Sequence, residues 1–263
     1  PQFWLLHQYD YHQYNATPAS FGSGLASLRR ALAEAMAPEA PFPVSISEFN
    51  VHTAAVFDTL PETLDDPAKY SRFGAIVAHL VGNGAHELYA FKFSQTQGDA
   101  NDVYPVRKNG LHYVDNDAAP YNIGGITRAG EVWRLFNKGF APGRLRQDLV
   151  ATADLGHLAL LASHDPQTGY YYVFSANHSS AATPLTLDVS ALNLPDNNRV
   201  LIEEVSETHY GTVAHYTRVL SGRVTTFVQP ANSVWLATLP AKPQQFSSPG
   251  VPTFTLAAAE DAT

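Results

Sequence analysis

Glu48 lies toward the C-terminal end of the run Phe42-Pro43-Val44-Ser45-Ile46-Ser47-Glu48-Phe49-Asn50, in which Phe42, Val44 and Ile46 alternate with small or polar residues as in a strand. A carboxylate inside a strand is costly unless it is paired or functional. The C-terminal end of a strand that follows a helix is also where barrel enzymes carry their catalytic groups. Glu48 is therefore the group on which chemistry is expected to rest. A second run of polar and aromatic residues, Tyr9-Asp10-Tyr11-His12-Gln13-Tyr14, precedes it by one helix. Alternation puts Tyr9 and Tyr11 on one face of that strand and His12 and Tyr14 on the other. Only one pair can accompany Glu48, and His12 with Tyr14 is the pair expected to do so.

The elements that must position these groups are readable from periodicity. Strand signals near 3–14, 42–48 and 86–94 alternate with helix signals near 22–37, 68–82 and 127–139, the pattern of β/α units on a parallel sheet. The linkers from Asn50 to Asp66 and from Ser94 to Gly125 follow strand ends, on the side where such sheets build their active face. From about Asp148 the helical period stops. Short β-rich runs take over at 157–163, 169–176, 184–189, 199–206, 211–219, 223–228 and 233–239, separated by turn signals such as Asp165-Pro166-Gln167-Thr168-Gly169. The expected organisation is the C-terminal part of a (β/α)8 barrel over 1–147, an antiparallel β-sandwich over 148–240 and an extended tail over 241–263. A full barrel needs about 250 residues, so the other strands are expected in another chain or in an absent N-terminal segment.

Composition narrows the function classes. A net charge of −8 without a Lys/Arg run argues against a nucleic-acid groove or an anionic membrane surface, while a neutral polymer remains compatible. No run of about 18 apolar residues is present, so no membrane span is expected. With no cysteine, disulfides and Cys-ligated metals are excluded. His52, His79, His86 and His112 show neither an i, i+4 pair nor an HExxH pattern, and no metal or other cofactor is expected. Asp99, Asn101 and Asp102 offer oxygen ligands at a spacing unlike an EF-hand loop and read as a solvated loop. Gly124-Gly125 is too little for a phosphate loop, and there is no G-x-S-x-G elbow. The triplets Asn15-Ala16-Thr17 and Asn177-His178-Ser179 are glycosylation acceptors that suit a secreted or extracellular glycoprotein. Pro1 and the strand-like residues after it suggest a piece of a longer protein.

Three runs together resemble the C-terminal portion of retaining clan A (β/α)8 glycoside hydrolases, of the agarase/porphyranase type with a trailing β-sandwich. They are Tyr9 to Tyr14 as strand six, Val44 to Asn50 as strand seven, and Leu88-Tyr89-Ala90-Phe91-Lys92-Phe93-Ser94-Gln95 as strand eight. Gly124 to Phe136 looks like the last helix of that barrel. The resemblance implies that Glu48 is the nucleophile of a double displacement, with a second carboxyl about 5–5.5 Å away as acid/base. A nucleophile must stay ionised, which needs hydrogen-bond donors or a positive neighbour.

His12 and Tyr14 resemble the residues that orient the nucleophile and contact sugar hydroxyls, and Asn50 is counted among the substrate-binding residues. Phe93, or Phe91 if the strand faces are reversed, takes the place of the tryptophan common in this clan as a sugar platform. Lys92 and Gln95 can bind hydroxyls or an anionic substituent, although a snorkelling lysine accounts for Lys92 equally.

The clan carries its acid/base on strand four, which this chain does not contain. General acid–base assistance is typically worth about 10²–10⁴-fold, so the chain alone is expected to be inactive or nearly so. The expected function is hydrolysis of a polysaccharide or oligosaccharide. The alternative is a non-catalytic hydrolase-like module for glycan binding or extracellular assembly.

Overall fold

A computed structural model describes residues 9–36, 43–52, 64, 66–91, 110–111, 126–149, 156–192, 194, 199–209, 214–219 and 224–240. Three strands, β1 (Tyr9–Gln13), β2 (Val44–Phe49) and β3 (Glu87–Ala90), form a parallel sheet in the order β1-β2-β3. Helices connect them in sequence: α1 (Pro18–Met36) lies between β1 and β2, and α2 (Pro67–Gly82) between β2 and β3. Both helices begin where the sequence provides a start. Pro18 and Pro67 have no N–H to leave orphaned in a first turn, and Thr17 accepts the Ser20 N–H at 3.3 Å. α3 (Arg128–Gly139) is capped by Thr127, whose hydroxyl accepts the Gly130 N–H at 3.1 Å and donates to the carbonyl of Leu111 at 3.0 Å.

The remaining strands are antiparallel. β4 (Leu145–Gln147), β5 (Leu158–His164), β6 (Tyr171–Asn177), β8 (Arg199–Val205), β9 (Ala214–Val219) and β11 (Ser233–Leu239) form one sheet in the order β4-β5-β6-β11-β8-β9. β7 (Thr183–Asp188) and β10 (Val224–Gln229) pair separately. Because β4 hydrogen-bonds to β5 in register Leu145↔His164, the antiparallel sheet begins before residue 148. The chain is thus mixed α/β, as the two patterns in the sequence require.

Alternation gives the large sheet two buried faces. Tyr172, Phe174 and Ala176 of β6, with Val234 and Leu236 of β11, join the core formed by α1, α2, α3 and the parallel sheet. Val173, Trp235, Ala237 and Leu239 point the other way, into a second core that includes Phe227 of β10. Strands buried on both faces read as near-continuous apolar runs, and Ser233–Leu239 is buried at every position. A column of aromatic rings ties the parallel layer to this sheet: Phe49 stacks on Phe73 at 5.5 Å, Phe73 meets Trp133 at 6.1 Å, Trp133 stacks on Phe136 at 5.6 Å, and Phe136 meets Phe174 at 5.8 Å. Gly74 of α2 lets this packing close, since a Cβ there would stand 2.9 Å from Val234 Cγ2 and 3.2 Å from Val132 Cγ1.

Two of the buried faces carry charge. Glu203 of β8 is 1% exposed and pairs with Lys138 of α3. Glu204, next in sequence and so on the opposite face, accepts the Trp235 indole N–H at 2.8 Å. Among the described residues no helix is long and apolar enough to cross a membrane.

Candidate active site

Strict alternation along β2 would put Glu48 on the face of Val44 and Ile46, which are fully buried against the helices. The strand avoids this by a register shift against β3 between Ile46 and Phe49. Phe49 thereby takes the next inward position, fully buried with Val44 and Ile46. Glu48 turns to the opposite face, 38% exposed. A one-residue slip inverts the side of every later side chain, and here it moves a carboxylate out of a packed layer into reach of polar neighbours.

β1 supplies those neighbours. His12 is the register partner of Glu48, following a second irregularity between Asp10 and His12. The Tyr14 hydroxyl donates to Glu48 Oε2 at 2.6 Å, and His12 Nδ1 stands 3.6 Å from the same oxygen. The opposite face of β1 goes to α1: the Tyr11 hydroxyl donates to Gln13 Oε1 at 3.0 Å, and both side chains lie against the helix at Gly24. Of the two pairs that alternation offered, His12 and Tyr14 therefore meet the carboxylate.

Tyr14 is a durable donor. Burial first, then its hydrogen bond to Glu48 and the negative charge there, push the phenol well above the ordinary tyrosine range. It remains protonated throughout the neutral range, so Oε2 keeps a fixed donor. The Tyr14 ring is itself located by Phe91, which it meets edge-on at 6.2 Å.

Asn50 has an indirect part in this arrangement. It is 1% exposed, its amide donates to the Phe91 carbonyl, and its own carbonyl accepts the Val51 N–H at 2.7 Å. The Phe91 N–H in turn donates to the Phe49 carbonyl at 2.9 Å, locking the ends of β2 and β3 together. Asn50 thus holds Phe91, and Phe91 abuts Tyr14. Sequence reading gave Asn50 a place in substrate binding, but its polar atoms are committed to the backbone of the strand ends.

Lys92, Phe93 and Gln95 lie outside the described residues. Asn15, directly after Tyr14, is exposed and adopts a left-handed backbone (φ 56°), a conformation that asparagine tolerates better than most residues. Asn177 differs from the glycosylation expectation. It is fully buried, and its amide nitrogen donates to the carbonyls of Ala181 at 3.0 Å and Pro230 at 2.9 Å, which leaves no accessible nitrogen for a glycan in the folded chain.

Ser47 was not among the residues singled out in the sequence, yet its hydroxyl lies 2.7 Å from His12 Nε2. Its only sequence signal was adjacency to Glu48. Among the described residues no group of three or more His, Asp or Glu side chains is arranged to hold a metal ion.

No protein-family model matches the sequence, and no curated protein matches it. Solved structures do match. The glucosidase of Croceicoccus marinus aligns with a TM-score of 0.65 at 13% identity, over 89% of this chain and 54% of that one. A monomeric β-xylosidase of Caulobacter crescentus CB15 aligns at 0.62 and 11% identity, over 91% and 56%. A GH30 endoxylanase of Clostridium papyrosolvens C71 aligns at 0.59 and 14% identity, over 90% and 49%.

The chain shares its fold with part of these structures. It spans about half the length of these structures. Identities this low establish the fold alone.

Proposed function

We propose that the chain is the C-terminal part of a retaining polysaccharide hydrolase, a partial (β/α)8 barrel followed by an antiparallel β-sandwich, in which Glu48 is the nucleophile. One observation carries this reading: a half-exposed carboxylate at the C-terminal end of a parallel strand, pinned through a single oxygen by a tyrosine from the neighbouring strand. Such an arrangement fits attack on an anomeric carbon. One oxygen is held by the phenol while the other forms the glycosyl–enzyme ester, and the ester is then hydrolysed by water. The first step needs a leaving-group acid, and in this reading that carboxyl comes from a part of the barrel beyond this chain. His12, with Nδ1 3.6 Å from Glu48 Oε2, adds a second polar neighbour that supports this reading. Action on a polysaccharide fits a secreted protein, with Asn15 as the exposed glycosylation position.

The test uses the full-length protein and its Glu48→Gln variant on a panel of algal and plant polysaccharides. Release of reducing ends is measured, together with the anomeric configuration of the first product by NMR. The proposal expects retention of configuration and abolition of activity in Glu48→Gln. Equal activity of the two proteins, or inversion, overturns the mechanism. Absence of hydrolysis on every polysaccharide overturns the enzymatic reading in favour of a glycan-binding or structural module.

A further inference from the structure

We propose that Ser47 is a positioning residue that selects the tautomer of His12, holding its Nδ1–H toward Glu48. The functional meaning rests on the nucleophile reading of Glu48; the tautomer assignment does not. The argument begins with the two ring nitrogens, which in a neutral imidazole are one donor and one acceptor. Nδ1 stands 3.6 Å from Glu48 Oε2, an oxygen already engaged by the Tyr14 hydroxyl. A bare Nδ1 lone pair aimed at a carboxylate is electrostatically unfavourable, whereas an N–H there is attracted to it. With the proton on Nδ1, Nε2 becomes an acceptor. The group 2.7 Å from it is the Ser47 hydroxyl, which can donate. One assignment suits both of these contacts: Ser47 Oγ–H donates to Nε2, and Nδ1–H faces the carboxylate.

Strand irregularity makes this contact possible. Ser47 and Glu48 are consecutive, and in a regular strand they would point to opposite faces. The shift in register between Ile46 and Phe49 brings both within reach of the same imidazole. Two adjacent residues of β2 thus face the two nitrogens of one ring on β1. Serine fits this role because its hydroxyl can rotate to donate, which alanine cannot do and threonine can.

The tautomer is directly observable. The protein, labelled with ¹⁵N-histidine, is recorded in a long-range ¹H–¹⁵N correlation spectrum above neutral pH, with His12 assigned by loss of its signals in His12→Gln. The wild-type spectrum is expected to show His12 as the Nδ1–H form. Ser47→Ala is expected to move it toward the Nε2–H form that free imidazole side chains favour, and Ser47→Thr to restore the wild-type pattern. In full-length protein the same alanine change should lower kcat/KM by about five- to tenfold, the scale of one net hydrogen bond, and threonine should recover it.

An Nε2–H tautomer in the wild type overturns the proposal whatever the variants do. So does a spectrum unchanged by Ser47→Ala. If Ser47→Ala fails to fold, the wild-type and Ser47→Thr spectra still decide. Should His12 show the expected tautomer while Glu48→Gln retains activity, the nucleophile reading falls and the Ser47 assignment stands.

Discussion

Removing the Tyr14 hydroxyl is the sharpest single perturbation of this site. Tyr14→Phe keeps the ring and its edge contact with Phe91 at 6.2 Å, and deletes only the 2.6 Å hydrogen bond to Glu48 Oε2. A hydrogen bond to a charged group contributes roughly 1.5–3 kcal/mol. With the carboxylate 38% exposed, water can replace part of what is lost, so the lower end applies, about 1.5–2 kcal/mol. At about 1.4 kcal/mol per factor of ten, that corresponds to roughly a 10- to 30-fold loss of kcat/KM.

An opposing effect exists, because a carboxylate freed of its donor is intrinsically the better nucleophile. Orientation is expected to win. Among the described residues the phenol alone stands within hydrogen-bond distance of Oε2, and small misplacements of a reacting atom are costly. The assay is kcat/KM on the substrate identified for the full-length protein, with thermal unfolding as a control for folding. A rate that is unchanged or raised, in a variant that unfolds as the wild type does, refutes the claim that Tyr14 orients the nucleophile.

Other perturbations test the scaffold. Above pH 10 the folded state should weaken as Tyr14 ionises: its raised pKa favours the folded, protonated form below the unfolded value of 10.0, and that advantage disappears as pH climbs toward the folded value. Tyr14→Phe should flatten this alkaline limb of a stability–pH curve. His178 behaves in the opposite sense. Burial, followed by the charges of His79, His157 and Arg72, lowers its pKa from 6.5, so its contribution is present above pH 6.5 and is lost on acidification; His178→Asn should reduce the slope of Tm against pH below that point. Lys138→Ala strands the buried Glu203 and should cost about 2–3 kcal/mol by urea unfolding, less than the 3–5 for a fully buried pair because Lys138 is 34% exposed. Gly74→Ala gains helix propensity but drives a Cβ to 2.9 Å from Val234 Cγ2; a net loss of about 1–2 kcal/mol is expected, read in the same titration.

Much of the fold was legible because period and punctuation agreed. The run Ser233–Leu239 is apolar on both faces and bounded by a turn, and its strand coincides with the expected 233–239. The helix expected at 127–139 begins one residue later because Thr127 is its cap. β4 escaped notice: Leu145–Gln147 is only three residues long, too short for alternation to register, and its place is set by pairing with β5. The start of α1 at Pro18 was also missed, although Thr17-Pro18 is a recognisable N-terminal signal. At the candidate site, residue type and strand position singled out Glu48, His12 and Tyr14, and the structure brings these three side chains together. The register shift that turns Glu48 away from Val44 and Ile46 was invisible, since it depends on how β3 pairs with β2 rather than on any residue of β2 alone. Ser47 was hidden for the same reason. The burial of Asn177 could not be read from a triplet that says nothing of the carbonyls closing over it.

The aromatic column from Phe49 to Phe174 has a consequence for how this protein can be divided. Excising the antiparallel sheet would strip Tyr172, Phe174, Ala176, Val234 and Leu236 of the helices that shield them, leaving a greasy slab in water. Neither half can be traded between proteins as a self-sufficient cassette, and any partner grafted in place of the helices would have to reproduce their footprint. Damage far out on that sheet would also be felt one residue away from Glu48, because the first ring of the column belongs to the very next position in the chain.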